Sequence, residues 1–530
     1  INNAQGVLAT LGDARIDSAG AMNNTEGVIQ GKVTDIRAAS LDNSHGAVDA
    51  KGSLTLTSQG DLINRQGNIR AQGDANITAA GLNNDRGAIT ATGQLTTQSQ
   101  HVNNSGQLYG GMGNRLTSGV IDNSGIIGSG GVTTITASSL NNTSTGVLAA
   151  GLNPDSTLST NKADLTVNTT GALTSRGTHL ATGRVSLTGN PTDLAGSITQ
   201  AGEISLSSDG DLSTQGAKLT ATETMTLNAK GTLNNQQGEL AANTLTLTAN
   251  ALDNRYGSIT QAGSGDLSLN LPGGLNNQDG VIATNSQNLT LNTSELNNQT
   301  GKIQHAGNGS LVLVSSRVNN SQQGSVLSLG EQTWQIAGDI NNSAGVIQGK
   351  RLDISANNLT NTTGVVAAIS AEPTADSRIH LTGNLNNHQG TLANNASGLN
   401  VTAANVNNSS GQVVSLGQQT WQLAGNINNQ GGQIQGSQFT INAQNLNNQD
   451  GIVVASHPAT ANSAVNLTGN LTNTGNAVIY AGNGSLNITA NQIDNAAQLT
   501  SRDHLTTTSQ ALNNSGSVYA GGNASLTNQG

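Results

Sequence analysis

Along most of the chain, apolar residues come in short alternating runs separated by polar corners. In "SLDNSHGAVDAKGSLTLTSQG", Ser40 to Gly60, Leu41 precedes an Asp-Asn pair, Gly46 follows, and Val48, Leu54 and Leu56 alternate with polar neighbours. Alternation with period two predicts strands with one buried face, and runs of only three to five residues predict short strands. Apolar residues nowhere keep a helical i, i+3, i+4 spacing, and Thr, Ser, Asn and Gly are poor formers of a helix interior, so no helix is expected.

The pattern recurs at a fixed period, which decides the architecture. The aliphatic residue before each Asn pair gives a series of landmarks: Leu41, Leu62, Leu82, Val102, Ile121 and Leu140, then Leu173, Leu194, Leu212, Leu233, Leu252, Leu275, Leu296, Val318, Ile340 and Leu359. It continues through Leu385, Val406, Ile427, Leu446, Leu471, Ile493 and Leu512, with Ile1 and Met22 in front. That makes about 25 units of roughly 20 residues. The pattern within a unit is L-[ND]-N-x-x-G-x-[IV]-x-[AG], weakest near Leu173 to Leu212, and then a second alternating run such as Leu54-Thr55-Leu56. Two or three short strands per unit, separated by Asn and Gly corners, predict an all-β parallel β-solenoid, one turn per unit. Leucine-rich repeats have a similar period but demand more leucine and a helical segment.

Stacking explains the composition. Coils about 4.8 Å apart place each sequence position over its own copy, so about 25 of them predict one continuous rod over residues 1–530, roughly 120 Å long. Asn can pair amide to amide in a ladder, and Asn or Gly can take the left-handed conformation of a corner. Bulky rings repeat poorly in a narrow core and stacked like charges repel. The aromatic share of 1% and the charged share of 9% follow.

Two segments, "LSLGEQTWQIAGDINNSAGVIQG" from Leu327 and "VSLGQQTWQLAGNINNQGGQIQG" from Val414, share one phase, so 318–405 and 406–493 read as duplicated four-coil blocks. Three units are expanded: 140–173 with "GLNPDSTLSTNKADL", Leu359 to Leu385 with "SAEPTADSR", and Leu446 to Leu471 with "SHPATANSA". Such insertions, which hold Pro154, Pro373 and Pro458, are expected as surface loops.

The coil as written in "LNNDRGAITATGQLTTQ" from Leu82 and "LDNRYGSITQAGSGDLSL" from Leu252 resembles the filamentous-haemagglutinin repeat region of two-partner-secretion exoproteins, a family that includes adhesins, haemolysins and CdiA-type contact-dependent growth-inhibition proteins. The resemblance covers essentially the whole chain. It implies a right-handed parallel β-helix, export through an outer-membrane partner transporter, and a place outside a Gram-negative cell, secreted or on its surface. The NPNG-like signature of the secretion domain and the VENN element of toxin-bearing members are not present, so the chain reads as a stalk segment of a longer protein.

Little in the sequence points to other chemistry. The net charge of −10 is spread thinly, without the clustered Lys and Arg that nucleic acid requires. No run of about 18 apolar residues predicts a membrane span. Cysteine is absent, which excludes thiolate metal sites. Asp42, Asp122, Asp253 and Asp494 all occupy the first Asn position, as turn residues would, so no catalytic, cofactor or metal residue is assigned. A polysaccharide-acting β-helix enzyme is the distant alternative to a stalk. The rare aromatics remain as candidate receptor or glycan contacts: Trp334 and Trp421, whose phase favours the core over an exposed contact, and Tyr109 and Tyr519, which follow an inward aliphatic residue and are expected to point outward.

Overall fold

The computed structural model describes residues 1–370, 375–456 and 461–530, and among these residues the chain is strand and turn with no helix. It forms two compact units, Ile1–Ala262 and Gly263–Gly530. Each is a right-handed parallel β-solenoid, and the coils number about 26, one more than the landmarks predict. Pro373 and Pro458, expected in surface loops, lie outside the described residues.

A coil of the first unit shows how sequence becomes structure. Leu62–Ile63 is the first strand, Asn68–Ala71 the second, and Ala75–Asn84 the third, running on into the first strand of the next coil. Leu62, Ile69, Ala71, Ala75 and Ile77 are all buried, and their strand neighbours Asn68, Arg70 and Asn76 face outward. Each strand pairs in parallel with its equivalents in the coils before and after, Ile69 lying between Val48 and Ile89. The core is therefore a stack of aliphatic columns, one residue wide at each inward position.

The corner between first and second strands is built from the second Asn of each pair and the glycine three residues later. Asn64 is fully buried. Its Nδ2 donates to the Asn84 Oδ1 at 2.8 Å, to the Gly67 carbonyl at 3.2 Å and to the Ala88 carbonyl of the following coil at 3.2 Å. The amide ladder expected from stacking is thus present and is internal.

Two details of the corner differ from expectation. The left-handed residue is neither Asn nor the motif glycine but the residue before that glycine: Glu26, His45, Gln66 and Arg86 have φ of 52° to 56°, and even the β-branched Thr300 and Thr363 take φ of 55° and 53°. The glycine serves a different need. A Cβ on Gly67 would lie 2.2 Å from the Asn43 carbonyl oxygen and 2.5 Å from the Asn64 Oδ1. The motif glycine is where the backbone of one coil presses on the ladder of the coil before it, and its bend is incidental.

The register corrects one landmark. Leu173 pairs with Thr192, and Thr192 with Leu212, so Thr192 holds the landmark position of that coil. Leu194, taken as the landmark from its aliphatic character, sits two residues on, fully buried where other coils carry the ladder asparagine.

Between Val147–Ala150 and Leu165–Thr169 the chain leaves the coil for the segment 151–164. A bridge of antiparallel sense joins Leu152 to Leu158, and the Asp155 carboxylate accepts from the Thr157 backbone N–H at 3.0 Å and its hydroxyl at 2.6 Å.

Candidate functional site

The four aromatic candidates fall into three different environments. Trp334 and Trp421 are 0% exposed. Trp334 stacks between Leu313 and Ile354, and Trp421 between Val401 and Ile441, so each replaces an aliphatic residue in an inward column. A buried indole N–H requires an acceptor, and the glutamine two residues earlier, on the same inward face, supplies it. Trp334 Nε1 donates to Gln332 Oε1 at 2.8 Å, and Trp421 Nε1 to Gln419 Oε1 at 3.0 Å. The glutamine Nε2 in turn donates to the Gln348 carbonyl at 2.6 Å and to that of Gln435 at 2.5 Å. These tryptophans fill the core and present no surface. Gln332 and Gln419 were not singled out from the sequence, although the spacing Gln-x-Trp places both side chains on one strand face.

Tyr109 corrects an expectation. Its side chain leaves the outward face of Gln107–Gly110, as its phase requires, yet it is only 6% exposed. The segment 151–164 lies over it, and the Tyr109 hydroxyl donates to the Leu152 carbonyl at 2.9 Å. Beside it in the outward column stand Gly128 and then Ala149, residues small enough to leave room for a covering segment. Burial, and then the negative charge of Asp155, push the Tyr109 phenol above its ordinary value.

Tyr519 is 58% exposed on the outward face of Ser517–Ala520. Its column runs through Thr500 to Tyr480, which places two outward tyrosines about 10 Å apart on unit 2. Tyr480 went unremarked in the sequence because "VIYAGN" carries no Asn pair close before it; the register brings it into line.

The carboxylates behave as corner residues. Asp42 Oδ1 accepts from the Ser44 backbone N–H at 2.9 Å, and Asp122 Oδ1 from Asn141 Nδ2 at 3.1 Å. Burial pushes the Asp253 carboxyl up, but hydrogen bonds from Arg255 and Gln236 outweigh it and hold the group below the usual carboxylate range. Among the described residues no three His, Asp or Glu side chains converge to hold a metal ion. Grooves on unit 2 are shallow and polar; one of about 560 Å³ is lined by Asp339, Asn341, Asn358 and Asn384 among others. No helix among the described residues is long and apolar enough to cross a membrane.

A solenoid of this kind, with its polar residues spent on ladders and corners and its rare aromatics buried, outward on a strand face or, as Tyr256, exposed at a corner, defines a repeat protein whose product is a surface and a length. The chain belongs to the haemagglutinin-repeat family, which matches residues 1–66, 57–119, 113–177, 156–237, 201–265, 260–330, 365–420, 420–475 and 454–530. It is similar to a protein of Yersinia pestis named toxin CdiA, at 35% identity over 150 residues, 27% of this chain and 4% of that protein. It is also similar to a Burkholderia pseudomallei protein named tRNA nuclease CdiA-2, at 39% identity over 101 residues, 19% of this chain and 3% of that protein. The chain thus matches only a small part of the length of either relative. No solved structure matches it.

Proposed function

We propose that this chain is a stretch of stalk in a filamentous exoprotein of a Gram-negative bacterium, secreted or held at the cell surface, and that its coils carry a distal adhesive or toxic element toward a target cell. The observation that supports this most is the repetition itself: coil after coil holds one register and one corner, so that extension along the stack is what the sequence keeps constant. The matched repeats and the two CdiA-type relatives point the same way. On this reading an outer-membrane two-partner-secretion transporter exports the chain, and residues 1–530 build one continuous rod in which 318–405 and 406–493 arose by copying. The test is removal of residues 318–405 from the full-length secreted protein, which keeps the coil phase and shortens the stack by about 19 Å. Reach measured by electron microscopy should fall by that amount and delivery should weaken in step. Unchanged delivery after several such deletions refutes the stalk.

A second reading is favoured by the outward tyrosines: Tyr480 and Tyr519 offer flat, amphipathic contacts, of the kind a receptor or glycan uses, on a face where Ile452, Val454 and Val478 also point outward. Tyr480→Ser with Tyr519→Ser leaves the stack unchanged. Loss of target-cell binding by this variant, with reach intact, makes the segment a binding module; retained binding leaves it a spacer.

A further inference from the structure

In unit 1 the buried asparagine column is broken at one place. It runs from Asn3 to Asn142 with every Nδ2 donating to the next Oδ1, then passes through Ser175, Leu194 and Thr214 before resuming at Asn235. Ser175 and Leu194 cannot join an amide chain, so these coils lack the amide link that ties their neighbours together, and a histidine bridge takes its place between the first two of them.

The same coils hold a buried titratable group. His179 is 0% exposed, with Nε2 2.6 Å from the Ser175 Oγ and Nδ1 2.8 Å from the Thr199 Oγ1. Its strand, Thr178–Ala181, is stacked between Val147–Ala150 and Ile198–Ala201; its own coil supplies Leu173–Ser175 and Arg184–Gly189, and Leu165–Thr169 comes from the coil before. The inward side chains of these elements, among them Leu148, Leu165, Val167, Leu173 and Thr199, are all uncharged. The nearest ions along the chain, Arg176 and Arg184, both lie on the exposed surface, where Arg176 pairs with Asp193 at 2.8 Å and Arg184 with Glu203. A protonated imidazole here would have no counter-charge.

At the other end of the second strands from the gap runs the segment 151–163, and its bonds reach to coils on both sides. Behind, the Tyr109 hydroxyl donates to the Leu152 carbonyl at 2.9 Å. Ahead, the Thr182 hydroxyl donates to the Asn161 carbonyl at 2.7 Å and accepts from the Ala163 N–H at 3.0 Å, while Lys162 Nζ pairs with Glu223 at 3.0 Å.

We infer that the coils carrying Ser175, Leu194 and Thr214 are the seam at which unit 1 opens, that protonation of His179 drives the opening, and that residues 151–163 clamp the seam from outside. Stability in a stacked array is the sum of coil and interface contributions, so a stretch without its amide link is where local opening is easiest. Burial pushes the His179 imidazole down from 6.5 to about 4. The closed coil therefore favours the neutral ring: its advantage is complete above pH 6.5, where both states are neutral, and is lost as pH falls from 6.5 toward 4, where only the opened coil takes up the proton. Between pH 7.5 and pH 5.0 the opening equilibrium should rise about 30-fold.

Hydrogen exchange on the full chain, expressed as protection factors at the two pH values, tests this. Amides of residues 173–217 should lose about 30-fold protection at pH 5.0 while those of residues 41–104 hold theirs. His179→Leu, matching the leucines at 148 and 219 in the same column, should abolish the acid step, and His179→Gln provides the same test should the leucine variant fail to fold. Tyr109→Phe combined with Lys162→Ala should raise opening of 173–217 several-fold at both pH values and leave their ratio unchanged. His305 in unit 2 is an internal comparison: it is also buried, but the ladder from Asn298 to Asn320 is unbroken beside it. The inference fails if the acid loss is uniform through unit 1, if it survives both His179 substitutions, if the clamp variant opens no faster, or if the His305 coil opens as readily.

Discussion

The amide ladder makes a quantitative prediction at Asn408. Its Oδ1 accepts from Asn387 Nδ2 at 2.7 Å, and its Nδ2 donates to Asn429 Oδ1 at 2.7 Å, the Gly411 carbonyl at 3.3 Å and the Gln433 carbonyl at 3.2 Å. Asn408→Leu keeps the branching of the side chain, with two bulkier methyl groups in place of the amide, and strands the buried Asn429 Oδ1. Asn387 Nδ2 keeps its bonds to the Gly390 and Gln412 carbonyls, both at 3.2 Å. One fully orphaned buried acceptor costs about 1–3 kcal/mol. The weakened carbonyl contacts add to this and the gain from burying leucine offsets part, so the net expectation is about 2–3 kcal/mol of local destabilisation. Asn408→Asp should cost more, about 3–5 kcal/mol, because a carboxylate faces the Asn429 oxygen and is buried without a cation. The chain itself contains the control. Leu194 occupies a ladder position between Ser175, whose hydroxyl meets His179, and Thr214, whose hydroxyl donates away from it to Asn235 Oδ1, so neither depends on an amide at position 194. Asn408→Leu made together with Asn387→Ser and Asn429→Thr rebuilds that arrangement, and should recover at least about 1 kcal/mol relative to the sum of the single substitutions. The assay is hydrogen exchange at the corner amides of Gly390, Gly411 and Gly432, which reads the opening of each coil separately where a single melting temperature would average over the array. A cost below about 0.5 kcal/mol for Asn408→Leu, or strict additivity in the triple variant, would refute the claim that the ladder links the coils.

Further predictions follow from the same corner and core. Gly411→Ala places a Cβ 2.1 Å from the Asn387 carbonyl oxygen, a backbone atom already held in the ladder, and should destabilise by about 3 kcal/mol or more with faster exchange in the coil before it as well as its own. Trp421→Ala empties the core and leaves Gln419 Oε1 without its indole donor; a loss of about 3–5 kcal/mol is expected in urea unfolding, and a loss under 1 kcal/mol contradicts the buried placement. Thr363→Gly removes a β-branched residue from a left-handed conformation at φ 53° and should stabilise its coil by up to about 1 kcal/mol, read as slower exchange at Gly364.

The period, the strand phase and the ladder are legible in the sequence because stacking repeats them at one position per coil, and a repeat makes a weak local signal strong. What escaped were features that depend on a neighbour elsewhere in the chain. Leu194 satisfies the aliphatic landmark rule, and only pairing with Leu173 and Leu212 shows that Thr192 holds the register. Tyr109 has the phase of an outward residue and is outward; its burial comes from a segment some forty residues later, which no alternation pattern announces. The motif glycine looks like a residue chosen for its φ, but its constraint is an oxygen of the preceding coil. Gln332 and Gln419 read as ordinary polar strand residues until the buried indole that needs them is in place.

Stacking also sets where charge is allowed and how the amides point. Within the strands, several ions that meet in register are of opposite sign: Arg184 lies over Glu203, Lys218 over Glu239, and Arg317 over Glu295. A substitution that copied one coil onto the next at such a position would set like charges about 4.8 Å apart, so faithful copying selects against charge altogether. Neutral amides carry no such penalty, but aligned dipoles accumulate along a column as they do along a helix. In unit 2 the two amide columns answer this by running in opposite senses. The buried Asn298 donates forward to Asn320, and Asn320 to Asn342. In the outer column Asn319 donates back to Asn297, and Asn297 to Asn276. The opposed dipoles cancel, and each coil offers both its neighbours a donor and an acceptor, so a coil can add without leaving a net dipole that grows with length. The Asn pair of the motif is therefore a single device: in unit 2 the outer position takes Thr at Thr360 and Thr472 while the inner position stays Asn from Asn277 to Asn514, and only in unit 1, at Ser175, Leu194 and Thr214, does the inner position change as well.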